Sequence, residues 1–320
     1  MYRKFLLLIF GILALTCTKP SEEMRIYTVV GSCKLPGYAK DVDIAGNYAY
    51  VADDQGGLQV VDVADPEAPL IVGSYPTQKR YVGIAVRDSF LYVASIDLGG
   101  LKIFDLSLPE SPSFVGEDGG WFSAYGIYAP PQDTNYVYIA GGYWFIMEDV
   151  SSPSFPGFRK RFSTSGSVRS VYMVDSIAFL ACEQMGVQVY DVSKPVAEAY
   201  ISTIDTRGNA RDIFVLGSYA YVADGLRGLC IIDVSDLDSL NVVGTYDTRG
   251  YAQGIWVEGN LCYVADREGG LVVFDIQDPS NPLLCAIFDT PYSYNVKVRE
   301  GLIYVVDRDE GLLILREATQ

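Results

Sequence analysis

The sequence predicts an all-β protein: a seven-bladed β-propeller of four-stranded antiparallel blades, closed by the N-terminal strand joining the C-terminal blade. Three observations predict it. A phrase of about forty-two residues fills nearly the whole chain, as in YAYVADDQGGLQVVDVADPEAP (48–69), YAYVADGLRGLCIIDVSD (219–236) and LCYVADREGGLVVFDIQDPSNP (261–282). Each copy breaks into four short β-prone runs separated by turn residues. The last copy lacks its fourth run, and a spare one stands at the other end of the chain. A fixed period of this length means stacked units that share one continuous core.

The first unit shows the elements in order: DVDIA (41–45), YAYVAD (48–53), GLQVVDV (57–63) and PLIVGSY (69–75). Gly46-Asn47, Asp54-Gln55-Gly56 and Ala64-Asp65-Pro66 join them, and these residue types suit tight turns. Runs such as LQVVDV are apolar on both faces, so each strand needs cover from two sides. Four-stranded sheets packed face to face around an axis supply that cover. The Asp ending the third run recurs at Asp62, Asp105, Asp149, Asp191, Asp233 and Asp275, with spacings of 43, 44, 42, 42 and 42.

The blade count follows from the second run: YAYVAD (48–53), FLYVAS (90–95), YVYIAG (136–141), IAFLAC (177–182), YAYVAD (219–224), LCYVAD (261–266) and LIYVVD (302–307). The chain closes on GLLILRE (311–317), a third run. IYTVVGSCK (26–34) matches the fourth, so residues 26–33 are expected to complete the blade made by residues 293–316. Such a clasp removes the open sheet edges that invite aggregation.

The organisation expected is a signal peptide over 1–16, a tether over 17–25 and the propeller over 26–316. Arg3 and Lys4 precede an apolar run from Phe5 to Leu15, too short to span a bilayer comfortably. The run stops at Cys17. Ala14-Leu15-Thr16-Cys17 resembles the lipobox of bacterial lipoproteins, which implies lipidation at Cys17, although the family usually has Leu first and Gly or Ala before the cysteine. Cys33, Cys182, Cys230, Cys262 and Cys285 form no C-x-x-C pair and lie in or at the ends of strands, where cysteine acts as a small buried hydrophobe.

Composition excludes several classes of function. There is no histidine among the 320 residues, so imidazole bases, Ser-His-Asp triads and His metal sites are absent. A net charge of −16 argues against nucleic acid and against docking on anionic lipid. No G-x-S-x-G, phosphate loop, zinc spacing or dinucleotide fingerprint occurs, so neither a catalytic residue nor a cofactor or metal is assigned.

GLCIIDVSD, GLVVFDIQDPSNP and NVVGTYDTRGYAQGIWVEGNLCYVAD resemble the LVIVD repeat, over about residues 26–316. The resemblance implies an exported bacterial or archaeal propeller. It implies no shared activity. No Trp-Asp dipeptide closes any unit, so the repeat does not resemble WD40.

Two kinds of position are candidates for function. Acids such as Asp62/Asp65, Asp233/Asp236 and Asp275/Asp278, and the YVAD acids Asp53, Asp224, Asp266 and Asp307, recur unit after unit. That repetition suits acids that hold turns better than it suits a cation site. Positions that vary between units are free of the scaffold. The residue entering each innermost strand reads Lys40, Val82, Tyr125, Arg169, Arg211, Gln253 and Tyr294 around the ring, with Tyr38, Arg80, Tyr251 and Tyr292 nearby. Lys40, Tyr125, Arg169, Arg211, Gln253 and Tyr294 are therefore candidate ligand contacts at one mouth of the channel, suited to an anionic or glycan-like ligand or an acidic segment. The plain alternative makes them solvated loop side chains that pair with Asp41 and Asp212.

The third unit is irregular. It inserts PPQDTN (130–135) and carries GGYWFIMED (141–149), with Trp121 just upstream. Trp121 is the candidate partner contact, and blade packing is expected to absorb Trp144 and Phe145. The function expected is an exported, lipid-anchored cell-envelope binding or scaffold protein, a monomer facing the periplasm or exterior. Its partner would be an envelope or extracellular protein or a glycan. The membrane is reached only through the anchor. A carboxylate-based glycan hydrolase or lyase at the channel mouth is the alternative. It needs two acids across a substrate, and no acid pair stands apart from the turn acids. A structural surface component with no soluble ligand is a third reading.

Overall fold

The computed structural model describes residues 24–118, 122–131 and 135–318. Cys17 and Trp121 lie outside them, as do the signal peptide and most of the tether. The described residues form seven four-stranded antiparallel sheets. Blade 1 runs Asp41–Ala45, Tyr48–Ala52, Leu58–Asp62 and Leu70–Tyr75, from the innermost strand outward. Blades 2 to 6 repeat this order and start at Tyr81, Gly126, Ser170, Asp212 and Gly254. In blade 7, Ser293–Arg299, Leu302–Asp307 and Gly311–Glu317 are completed by Tyr27–Cys33. Tyr27 pairs with Glu317 and Cys33 with Leu312. An Arg25–Glu317 ion pair at 2.7 Å holds the end of this clasp. The innermost strands of successive blades touch around a closed ring, blade 7 against blade 1 included.

Alternation along each strand builds the core. In the innermost strand of blade 5, Ile213 and Val215 point into the blade stack and are buried, whereas Asp212 and Phe214 line the channel. Apolar residues from adjacent blades meet in seven clusters, one per seam. All five described cysteines are buried within these layers, and no disulfide joins them. Burial pushes the thiols of Cys182 and Cys230 up to about 12, so neither is a thiolate near neutral pH.

The recurring acids hold turns, as their repetition suggests. Asp62 Oδ1 accepts Ala64 N at 2.9 Å, and Asp233 and Asp275 do the same for Ser235 and Gln277. The YVAD acids are buried and reach further. Asp53 Oδ2 accepts Gly37 N at 2.7 Å, Asp224 accepts Thr206 Oγ1 at 2.6 Å, and Asp266 accepts Thr248 Oγ1 and Gly250 N. Each ties its own turn to the connection entering the blade.

The seams also share a pair near the outer edge. One register position of each outermost strand, its last residue except in blade 3, shares a cluster with the third strand of the next blade: Cys33 with Val61, Tyr75 with Phe104, Phe162 with Tyr190, Ile204 with Ile232, Tyr246 with Phe274 and Phe288 with Leu315. The ring pairs lie 4.8–5.9 Å apart. Between blades 2 and 3 the equivalent residues are Asp118 and Glu148. An acid pair therefore does stand apart from the turn acids, contrary to expectation. The two are thirty residues apart in the chain, and only the strand register brings them together.

Candidate ligand-binding mouth of the channel

Five of the seven blades deliver a residue to one mouth by the same local device, and in blades 2 and 7 the equivalent Val82 and Tyr294 sit at a register shift inside the innermost strand. The residue before the innermost strand donates its backbone N–H to the alanine that ends the second strand. Lys40 binds Ala52, Tyr125 binds Ala140, Arg169 binds Ala181, Arg211 binds Ala223 and Gln253 binds Ala265, each at 2.7 or 2.8 Å. Lys40, Val82, Tyr125, Arg169, Arg211, Gln253 and Tyr294 all line one cavity of about 340 Å³ along the axis.

A second ring, which the sequence reading missed, comes from the turn after the second strand. Asp54, Glu183, Gly225 and Arg267 each form an isolated β-bridge to the residue preceding the rim position of the next blade: Tyr81, Ala210, Ala252 and Ser293. All four turn residues have positive φ, between 47° and 60°, a region that costs a non-glycine residue about 1 kcal/mol or more. Blade 5 uses glycine there; blades 1, 4 and 6 keep a charged side chain. This ring adds Arg267 and, from the matching turn of blade 7, Arg308. Only the bridges reveal that the turn of one blade sits beside the entry of the next.

The cations alternate with tyrosines. Lys40 Nζ lies 3.6 Å from the centre of the Tyr294 ring and 3.9 Å from Asp54. Arg80 forks onto the two oxygens of Asp54 at 2.6 and 3.1 Å. Arg169 Nε and Arg211 Nη1 both donate to Glu183 Oε1 at 2.7 Å, and Arg169 stacks on Tyr125 at 4.1 Å. Arg267 lies over Tyr251 at 4.1 Å and donates to Gln253 Oε1 at 2.7 Å; Arg308 lies over Tyr292 at 4.3 Å. Rim cations thus pair with Asp54 and Glu183 of the second ring. They do not pair with Asp41 and Asp212, which accept the Ile84 and Ile255 N–H groups of the next blades at 2.9 and 3.0 Å.

Six cations (Lys40, Arg80, Arg169, Arg211, Arg267 and Arg308) face three acids (Asp54, Glu183 and Asp309) at this mouth. Burial lowers Lys40 to about 8; Asp54 opposes the shift, and Arg80, Arg267 and Arg308 add to it. Burial also lowers Arg211, which Arg169 and Arg267 reinforce. The Nε groups of Arg211 and Arg267 are buried without a hydrogen-bond partner. The mouth therefore presents crowded positive charge, planar donors and flat phenol rings.

Deeper in the channel the wall is asymmetric. Tyr128, Tyr172, Phe214 and Trp256 from blades 3 to 6 run as a ladder with ring centres 4.9–5.0 Å apart. Lys297 Nζ caps it 4.5 Å from the Trp256 ring. Glycine at Gly126 lets blade 4 approach: a Cβ there would come within 2.5 Å of the Arg169 carbonyl oxygen.

The third blade divides its aromatics. Phe145 is fully buried against Phe162 and Tyr190, as expected. Trp144 is not absorbed. It is 37% exposed, because adjacent strand residues point to opposite faces, and Arg161 stacks on it at 4.2 Å.

The LVIVD repeat matches residues 36–77, 82–117, 134–164, 207–248, 249–290 and 292–315. A search of curated proteins finds no match. Among solved structures, the chain is similar to the WD40 β-propeller domain of Doa1, with 13% identity, 92% of this chain and 98% of that one covered, and a TM-score of 0.73. Raptor from Chaetomium thermophilum aligns at 13% identity and a TM-score of 0.71 over 93% of this chain, which spans only 30% of Raptor. BamB from Moraxella catarrhalis aligns at 12% identity over 87% of this chain and 83% of that one, with a TM-score of 0.60. At such identities the likeness concerns the fold alone. The repeat matches cover more than half of the sequence, and the chain belongs to the LVIVD repeat family.

Proposed function

We propose that this protein is an exported binding or scaffold component of the cell envelope, tethered through lipidated Cys17, whose channel mouth holds an anionic group of an envelope protein or glycan. One observation carries the reading. Six cations interleaved with Tyr38, Tyr125, Tyr251, Tyr292 and Tyr294 converge on one mouth of a chain whose net charge is −16. Arginine forks match carboxylate and sulfate, and phenols add flat contact with a hydrogen-bonding end. Half-buried cations gain more from an incoming anion than solvated ones do. Each acid at the mouth already has a cation partner, which supports binding over carboxylate catalysis.

Dextran sulfate and neutral dextran test the charge requirement with purified protein. Dextran sulfate is expected to bind with an affinity that falls steeply with salt, and neutral dextran is not. Arg211→Gln with Arg267→Gln should weaken that binding at least about ten-fold, since hydrogen bonds to charged groups are each worth about 1.5–3 kcal/mol. Equal binding by parent and variant would remove recognition from this mouth.

A further inference from the structure

The seam between blades 2 and 3 is the exception in a seven-fold structure. Six seams place an apolar pair near their outer edge, and this one places Asp118 against Glu148. Both partners differ from the repeat together. A single stray acid would face an apolar neighbour and would destabilise its seam without a matching group. Two at one contact make a feature of the site.

Glu148 is fully buried; no N–H or hydroxyl donates to its carboxyl oxygens, and the hydrogen bond it makes is to another acid, Asp118, through a proton the two share. Native interiors seldom bury an acid against a second acid with no basic group or N–H donor between them. Asp118 and the buried Glu148 line a cleft of about 520 Å³, a size suited to a small molecule. Tyr143, Trp144 and Phe158 wall this cleft and are 66%, 37% and 60% exposed. Arg161 lines the upper wall, stacked on Trp144, and does not reach Glu148. The cleft thus holds a cation on its aromatic wall and none at its acid pair.

We infer that this cleft binds a small organic ammonium compound, with its N–H groups on Glu148 and Asp118 and its apolar stem against Tyr143, Trp144 and Phe158. Aromatic faces attract organic cations, and an ammonium offers N–H donors to both acids in place of the one proton they share. A hard metal ion fits less well, because Ca²⁺ takes six to eight oxygens. Among the described residues no group of three or more acids, cysteines or histidines is placed to hold a metal ion. Burial first, and then the Asp118 carboxylate, push Glu148 up to about 8. Near neutral pH the bound ammonium therefore replaces a proton, which leaves for solvent.

Phenethylamine hydrochloride at pH 7 is the probe, titrated calorimetrically into the full chain, with phenethyl alcohol and CaCl₂ in parallel. The amine is expected to bind one to one, and the alcohol at least about ten-fold more weakly. Asp118→Tyr with Glu148→Phe copies the Tyr75–Phe104 seam and should abolish binding. Glu148→Gln keeps shape and volume, and should weaken binding about ten-fold or more even if the double variant does not fold. Equal affinity of amine and alcohol, undiminished binding to Glu148→Gln, binding of Ca²⁺ in place of the amine, or no binding of the amine would each overturn the inference. None of these outcomes bears on the dextran sulfate test, because the two sites share no charged residue.

Discussion

The seams between blades 5 and 6 and between blades 2 and 3 share an apolar centre and differ at one contact near their outer edge. In the first, Tyr246 and Phe274 pack with ring centres 4.8 Å apart inside a continuous apolar cluster. In the second, the same two positions hold acids beside an open aromatic cleft. The scaffold therefore does not require an apolar pair at this place in every seam, and the buried cluster of Leu101, Ile103, Val137 and Ile146 still joins blades 2 and 3. In a repeat protein each unit leans on its two neighbours, so one weak seam is tolerated when its flanks are strong.

Breaking the strong seam should have the largest effect. Phe274 is fully buried and central to its cluster. Phe274→Ala is expected to lower the free energy of unfolding by about 3–5 kcal/mol, from lost burial and the cavity left behind. Urea denaturation followed by tyrosine and tryptophan fluorescence measures it. A loss under about 1 kcal/mol would mean that the seams do not hold the ring together as described.

Repairing the weak seam should have the next largest effect and the opposite sign. Asp118→Tyr with Glu148→Phe is expected to add about 1–4 kcal/mol, as replacement of buried ionisable groups by packed apolar ones often does. The gain depends on pH. Glu148 ionises near 4.5 when unfolded and near 8 when folded, so the folded state holds the extra proton between those values. Parent stability should therefore fall as pH rises from about 4.5 through about 8. Asp41 and Asp224, both raised to about 7 by burial, act in the same direction. The double variant should lose less stability over this window than the parent. Parallel curves for the two would show that Glu148 is not held neutral in the fold.

The same comparison shows what can be read in the sequence. Fold, blade count, strand bounds and the N-terminal clasp were legible because they repeat. Seven copies of YVAD-like runs leave little freedom, and a fourth strand missing at one end must come from the other. The first rim ring was legible too, since one position per unit enters an innermost strand. Arg267 and Arg308 were not, because their ring comes from the turn after the second strand, which a bridge to Ser293 of the next blade holds at the mouth for Arg267 and a bond from Arg308 N to Tyr292 O holds for Arg308. The Asp118–Glu148 pair was hidden for a related reason. Each residue alone resembles a turn acid at a strand end, and the pairing Leu101↔Asp118 on blade 2 must be laid against Val137↔Glu148 on blade 3 before the contact appears. A signal was present: aligning each outer-strand end with the third strand of the following unit gives six apolar pairs and one acidic pair.

The smallest effect separates stability from recognition at the mouth. Arg267 has φ 49°, and the matching position in blade 5 is Gly225 with φ 60°. Blade 6 thus keeps an arginine where the backbone favours glycine. Arg267→Gly relieves that conformation, which costs a non-glycine residue about 1 kcal/mol or more. It also frees the unfolded chain, which offsets about 0.4–1 kcal/mol of the gain. A net change within about 1 kcal/mol is expected, on the stabilising side. The variant also loses the donor on Gln253 and the cation over Tyr251, so dextran sulfate should bind more weakly, with a shallower salt dependence. Thermal unfolding and binding measured on one preparation decide the matter. Unchanged stability with unchanged binding would make Arg267 an incidental occupant of a turn. Higher stability with weaker binding would mean that the mouth keeps a strained residue for what it holds, as the acid pair of the weak seam is kept for its cleft.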